Sequence, residues 1–194
     1  MNNPPRIVGL GGTSRPGSSS ELALRACMAT IAGLGAQVDC FVGEDLDLPL
    51  YAGGALPPKA RRLVDAIAAC DGVVISTPSY HGAISGAIKN ALDYIEELRG
   101  DARPYLDGRA VGSIVCAYGA QAIGTTLVGM RTIVHALRGW PTPMAAGINS
   151  SGKVFEDGRC VDPAARDQLD LVARQVWEFA TMRRLLEAER VAAR

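Results

Sequence analysis

The sequence predicts an α/β protein: a parallel, five-stranded sheet covered by helices on both faces. Strand-like and helix-like patterns alternate from end to end, giving five strand–helix units. Two of the strand runs, Val73-Val74-Ile75 and Val111 to Cys116, are almost continuously apolar, as parallel strands buried on both faces must be. At 194 residues, 48% hydrophobic and 21% charged, the chain has the composition of a globular protein able to bury its own core.

The elements follow in order. Short apolar and β-branched runs place strands at residues 6–10, 37–42, 72–77 and 110–117, and a weaker one at 142–146. Helical spacing places helices at 20–34, 58–69, 86–99, 125–137 and 163–186. Pro58 fits the first turn of its helix, and Asp162 before Pro163 reads as an N-cap followed by proline at the first helical position. Leu169, Val172, Val176 and Phe179 recur at helical spacing as the buried stripe of the last helix. No repeat, low-complexity tract or linker divides the chain. The expectation is one domain over residues 1–194, with 1–5 and 183–194 as flexible ends or a helical extension.

Charge and cysteine usage exclude several classes. Twenty basic and twenty acidic residues cancel, which argues against a nucleic-acid partner or an anionic membrane surface. No apolar stretch approaches bilayer length, and Met1-Asn2-Asn3-Pro4-Pro5 lacks a signal-peptide core. Five dispersed cysteines with no C-x-x-C pair suggest neither a zinc site nor a disulfide framework, so the expected address is a reducing cytoplasm. With two histidines and no matching acidic cluster, a protein-built metal site is not expected.

The most informative segment is Gly12-Thr13-Ser14-Arg15-Pro16-Gly17-Ser18-Ser19-Ser20, between the first strand and its helix. Glycines let the backbone curl inward, hydroxyls at Thr13, Ser18, Ser19 and Ser20 can donate to phosphate oxygens, and a helix N-terminus adds free amides and a positive dipole end. Arg15 supplies a bidentate cation. A P-loop needs lysine where Ser18 stands, and a dinucleotide fingerprint needs glycine where Ser14 stands. Hydroxyls plus one arginine suit a terminal monoester phosphate such as that of FMN. A capped, serine-rich turn explains the same composition.

The loop after the third strand reads Thr77-Pro78-Ser79-Tyr80-His81-Gly82, followed by Ala83-Ile84-Ser85-Gly86. Pro78 stiffens the strand exit, and Gly82 and Gly86 permit close approach to a flat ligand. Tyr80 and His81 offer aromatic surface with polar tips; a structured turn capped by Ser85 is the alternative. Ligands of open α/β sheets bind at these carboxyl ends.

Thr13-Ser14-Arg15-Pro16-Gly17-Ser18, Thr77-Pro78-Ser79-Tyr80 and Ser85-Gly86-Ala87-Ile88-Lys89-Asn90-Ala91-Leu92-Asp93 together resemble the NAD(P)H-dependent FMN reductase family of flavodoxin-like proteins. Members carry a G-S-x-R-x-x-S loop, then T-P-x-Y leading to P-G-x-L-K-N-A-L-D-W, and the resemblance spans residues 6–180. It implies a three-layer flavodoxin-like sandwich with strand order 2-1-3-4-5. It implies FMN as cofactor and NADPH or NADH as co-substrate, with hydride passed on to free flavin, a quinone, an azo compound or a similar acceptor. Thr13, Ser14, Arg15, Ser18, Ser19 and Ser20 would hold the phosphate; Pro78, Ser79, Tyr80, His81 and Gly82 would border the ribityl chain and ring. Ala117, Tyr118 and Gly119 would lie against the other side of the flavin, and no protein residue would act as a catalytic acid or nucleophile.

The resemblance also implies a homodimer or homotetramer joined through the helix bearing Lys89, Asn90 and Asp93. Apolar positions Ile84, Ile88, Leu92, Ile95 and Leu98 exceed what one sheet-facing stripe requires, which supports that expectation. A flavin-dependent monooxygenase is a candidate partner. The alternatives are a flavodoxin-like electron carrier and a flavin-dependent regulatory module without turnover. Three departures from the pattern bear on flavin retention and access: Ser85 for proline, Tyr94 for tryptophan, and Tyr118-Gly119-Ala120-Gln121 for a glycine-rich loop.

Overall fold

Every apolar strand residue of the first strand is buried, because its alternating side chains serve two separate cores. In the computed structural model, which describes residues 4–13 and 15–193, β1 (Arg6–Gly11) points Ile7 into one core and Val8 and Leu10 into the other. β2 (Gln37–Val42) pairs parallel with one side of β1 and β3 (Gly72–Tyr80) with the other. β5 (Ala110–Ala117) continues the sheet beyond β3, and β6 (Trp140–Pro141) and β7 (Ala146–Asn149) both pair parallel with β5. Helices α1 (Ser19–Gly33) and α5 (Pro163–Ala192) cover one face. The other face is covered by α2 (Pro58–Ala69), α3 (Gly86–Asp93) and α4 (Ala120–Ala136). This is the expected flavodoxin-like three-layer arrangement, with strands in the order β2-β1-β3-β5-β6 and β7 also on β5. That is the expected 2-1-3-4-5 once β6 and β7 count as one interrupted strand and the short hairpin strand after β3 is left out.

The sheet differs from the expectation in two places. The strand expected at 142–146 is divided. Trp140 lies opposite Ala110 and Ala146 opposite Ile114, so the chain spends six residues where β5 spends four. Pro141 and Pro143 have no N–H to donate, and the segment between them bulges out of the ladder. The loop carbonyls of Thr142 and Pro143 are taken by Arg131 of α4 instead. The sheet is also not wholly parallel: β3 runs on past residue 77 and folds back as a hairpin with β4 (Ala83–Ile84).

Caps define the helix starts. Ser18, Ser85 and Asp162 accept the N–H of Glu21, Ile88 and Ala165, respectively, from the first turns of α1, α3 and α5. α4 begins five residues earlier than its spacing predicts, and after α3 the chain tightens into a 3₁₀ turn, Tyr94–Leu98. A second hairpin, β8 (Phe155–Glu156) with β9 (Arg159–Cys160), precedes α5. Arg109 is fully buried and donates to the α2 C-terminal carbonyls of Ala68 and Cys70 and to loop carbonyls of Tyr105 and Asp107. It thereby satisfies acceptors that a helix end leaves open.

The α3 region corrects an inference drawn from its composition. Ile88, Leu92, Ile95 and Leu98 are buried within the chain, packed with α2 and the segment after β2, and Ile84 is partly buried against the same core. These residues present no spare apolar face. Asn90 is likewise used internally, donating to Leu48 O and Pro49 O and accepting the Tyr51 N–H, while Lys89 and Asp93 pair with each other on the surface. Among the described residues, no helix is long and apolar enough to cross a membrane.

Candidate active site

The chain goes from β1 outward to β2, then returns to place β3 on the opposite side of β1, so the loops leaving β1 and β3 diverge. The first of these loops ends β1 at Gly11 and turns through Gly12 (φ +94°) and Gly17 (φ +69°), conformations that disfavour a side chain. Thr13 Oγ1 accepts the Arg15 N–H at 3.0 Å and donates to Arg15 O at 3.2 Å, closing a tight local ring. Ser18 and Ser20, both buried, stand with their hydroxyls 3.4 Å apart at the start of α1. The backbone N–H groups of Ser18, Ser19 and Ser20, the Ser19 hydroxyl and the Arg15 guanidinium take no acceptor among the described residues. Amides left open in this way at a helix start suit an anionic ligand. Ser14 lies outside the described residues.

The second loop is the β3–β4 hairpin. His81 (φ +54°) and Gly82 (φ +80°) occupy its two central positions, as a primed turn requires. Thr77 Oγ1 donates to Pro78 O and accepts the Ser85 N–H, which fixes the strand exit. Ser79 Oγ lies 2.7 Å from Thr126 Oγ1 and 3.3 Å from Ala122 O, so its hydroxyl joins this loop to α4. The third loop, after β5, runs from buried Ala117 through Tyr118, 79% exposed, to Gly119, the N-cap of α4. A fourth segment closes against it: Ser150, just past β7, donates both its N–H and its hydroxyl to Ala117 O.

These segments enclose one cleft of about 220 Å³. Of the residues singled out from the sequence, Thr13, Arg15, Ser18, Ser19, Ser20, Pro78, Ser79, Tyr80, Ala117 and Tyr118 line it. His81, Gly82 and Gly119 flank the lining residues in sequence without lining the cleft themselves. Sequence reasoning missed two lining residues, Cys116 and Ser150. Cys116 ends an apolar strand run that carries no ligand signal, and Ser150 lies beyond the end of the strand expected at 142–146. The Asn149-Ser150-Ser151-Gly152 turn composition is the signal that would have found it.

The cleft is poor in acid–base chemistry. Its ionisable side chains are Arg15, Tyr80, Cys116 and Tyr118, and burial pushes the Cys116 thiol up to about 12. Among the described residues no cluster of histidine, cysteine and acidic side chains is assembled for a metal. A larger groove of about 410 Å³ lies between β6 and α5, where Trp140 packs on Phe179. It reaches the first residue of β5, Ala110, rather than the carboxyl ends of the strands, and it offers an anion no cation.

Residues 5–152 match the NADPH-dependent FMN reductase family. An NAD(P)H-dependent FMN reductase of Pseudomonas aeruginosa, PA1204, is 29% identical over 188 residues, covering 91% of this chain and 97% of the relative. The NADPH-dependent FMN reductase ArsH of Acidithiobacillus ferrooxidans is 27% identical, covering 94% of this chain and 76% of the relative. Among solved structures, the flavoenzyme NAD(P)H:(acceptor) oxidoreductase FerB from Paracoccus denitrificans superposes with a TM-score of 0.73 at 19% identity, covering 92% of this chain and 98% of that one. This last likeness concerns the fold alone.

Proposed function

The chain belongs to the NADPH-dependent FMN reductase family, and we propose that it is an FMN-dependent oxidoreductase that takes reducing equivalents from NADPH or NADH. The observation that carries this reading is the convergence on one cleft of unpaired amides at the start of α1, serine hydroxyls and Arg15, with Tyr80 and Tyr118 lining the same cleft. That donor set fits a phosphate monoester, and the aromatic side chains fit a flat ring.

FMN, when bound, supplies the redox chemistry, accepting hydride from the nicotinamide and passing electrons to an acceptor. The protein's task is to bind, orient and exclude. The amides of Ser18, Ser19 and Ser20 and the Arg15 guanidinium hold the phosphate, and the hydroxyls of Thr13, Ser18, Ser19 and Ser20 complete its shell. The backbone of Pro78 to Tyr80, stiffened by Thr77 and tied to α4 through Ser79, offers donors and acceptors to the polar edge of the ring. His81, Gly82 and Gly119 set the turns that aim these segments. Tyr118 and Ala117 wall the opposite side and limit which acceptors reach the ring.

The acceptor we propose is a small molecule: a quinone, an azo compound, or free flavin, which once reduced serves a partner monooxygenase. The five cysteines are all unpaired, which supports a reducing, cytoplasmic setting. A homodimer, or a dimer of two such dimers, is our reading of the assembly, and its interface would cover Leu50, 85% exposed beside the segment that Asn90 pins to α3.

The test is NADH and NADPH oxidation by the FMN-loaded full chain, with free FMN, a quinone and an azo dye as competing acceptors. Acceptor-dependent oxidation is expected. FMN binding without any oxidation of either nucleotide would instead favour an electron carrier or a regulatory module.

A further inference from the structure

The segment Ser18-Ser19-Ser20-Glu21 has the S-x-x-E pattern of a capping box, in which the glutamate ordinarily returns to the N–H of the capping serine. Only half of that box is made. Ser18 Oγ accepts the Glu21 N–H, but Glu21 Oε2 accepts the N–H of Gly17, one residue earlier, at 3.0 Å. The second carboxylate oxygen accepts Arg25 Nε–H at 2.8 Å. The Glu21 side chain is 10% exposed, so this is a nearly buried carboxylate beneath the loop. Gly12 crosses directly above it: a Cβ on Gly12 would meet Glu21 Cβ at 3.1 Å.

A buried anion close to the site proposed for a phosphate is unfavourable unless something offsets it and something is gained. Arg25 supplies the offset. The gain is that the displaced bond leaves the Ser18 N–H open beside those of Ser19 and Ser20, where a complete capping box would have consumed it. Resting on the phosphate-cradle reading above, we infer that Glu21 is a positioning residue for the cofactor phosphate. It holds Gly17 so that three consecutive amides stay unpaired toward the ligand, with Arg25 neutralising its charge. Glu21 touches neither the phosphate nor the flavin ring in this account.

The experiment compares FMN and riboflavin dissociation constants for the full chain and its variants, with thermal unfolding as a control. Glu21→Ala is expected to weaken FMN about tenfold, the cost of one charge-assisted bond, and to leave riboflavin within about twofold. Glu21→Gln keeps an acceptor for the Gly17 N–H and is expected to recover FMN affinity to within about threefold of the parent. Arg25→Gln leaves the carboxylate uncompensated and is expected to weaken FMN selectively, with relief in the Glu21→Gln/Arg25→Gln double variant; this pair decides the matter even where Glu21→Ala does not fold. Unchanged FMN affinity in Glu21→Ala, equal weakening of both ligands, or a glutamine variant as poor as alanine overturns the inference. A parent protein that does not prefer FMN to riboflavin overturns the phosphate-cradle reading itself.

Discussion

Ser76 Oγ donates to the carbonyl oxygen of Ser20 across 2.7 Å, tying the middle of the sheet to the first turn of α1. The bond is buried, and Gly11 lies against it: a Cβ added there would come within 2.9 Å of Ser76 Cβ and of Leu24 Cδ2. The strand that delivers the first loop, the strand beside it and the helix that receives the loop therefore meet at one point with no spare volume. Gly11→Ala is expected to lower unfolding free energy by about 1–3 kcal/mol through overpacking. It should also weaken FMN binding, because the helix start must shift. Urea denaturation and a fluorescence titration with FMN check both effects.

Tyr118 lines the cleft, and most of its surface is exposed. Tyr118→Ala should leave stability within about 0.5 kcal/mol, as exposed substitutions do. If the ring covers the flavin, FMN and riboflavin should both weaken by the same factor, about three- to tenfold for a lost aromatic contact. Faster electron transfer to bulky acceptors should accompany the loss. Unchanged affinity and unchanged reduction kinetics would reduce Tyr118 to a wall of the cleft mouth.

Alkaline pH should destabilise the fold through its cysteines. Burial pushes the Cys116 thiol up to about 12 and raises Cys27 still further, whereas a thiol in the unfolded chain ionises near 9.0. Below that value both states hold the proton and the full stability is present. Above it the unfolded chain loses protons that the folded chain keeps, so stability falls by about 1.4 kcal/mol per thiol for each pH unit. Urea unfolding across this range should show the decline, and a Cys27→Ala/Cys116→Ala variant should flatten it. An identical slope in that variant would contradict the assignment.

Most of the architecture was legible in the sequence, and the misses have physical causes. α2 matches its expected limits at Pro58 and Ala69 because proline at the first helical position marks the start without ambiguity. The fifth strand was misplaced because Pro141 and Pro143 break the ladder that periodicity alone would continue. That single error displaced the strand end and hid Ser150 from the cleft. α4 is capped by Gly119, which has no side chain, so nothing in the sequence announces its first turn. The β8–β9 hairpin did carry its own signal: Asp157 and Gly158 adopt φ of +47° and +76°, the two positive values that an Asp-Gly turn supplies. The apolar surplus of α3 was real, but burial under the segment after β2 consumed it, a tertiary contact that composition does not report.

The proposed function requires the first loop to hold a phosphate, and among the described residues Arg15 is the one cation lining the cleft. The most direct test is the ratio of riboflavin to FMN dissociation constants in the parent protein and in Arg15→Ala, with far-UV circular dichroism to confirm the fold. A lost arginine–phosphate pair should weaken FMN by about ten- to a hundredfold while riboflavin, which has no phosphate, stays within about twofold. Equal affinities for the two ligands in the parent, or equal weakening of both in the variant, would contradict it.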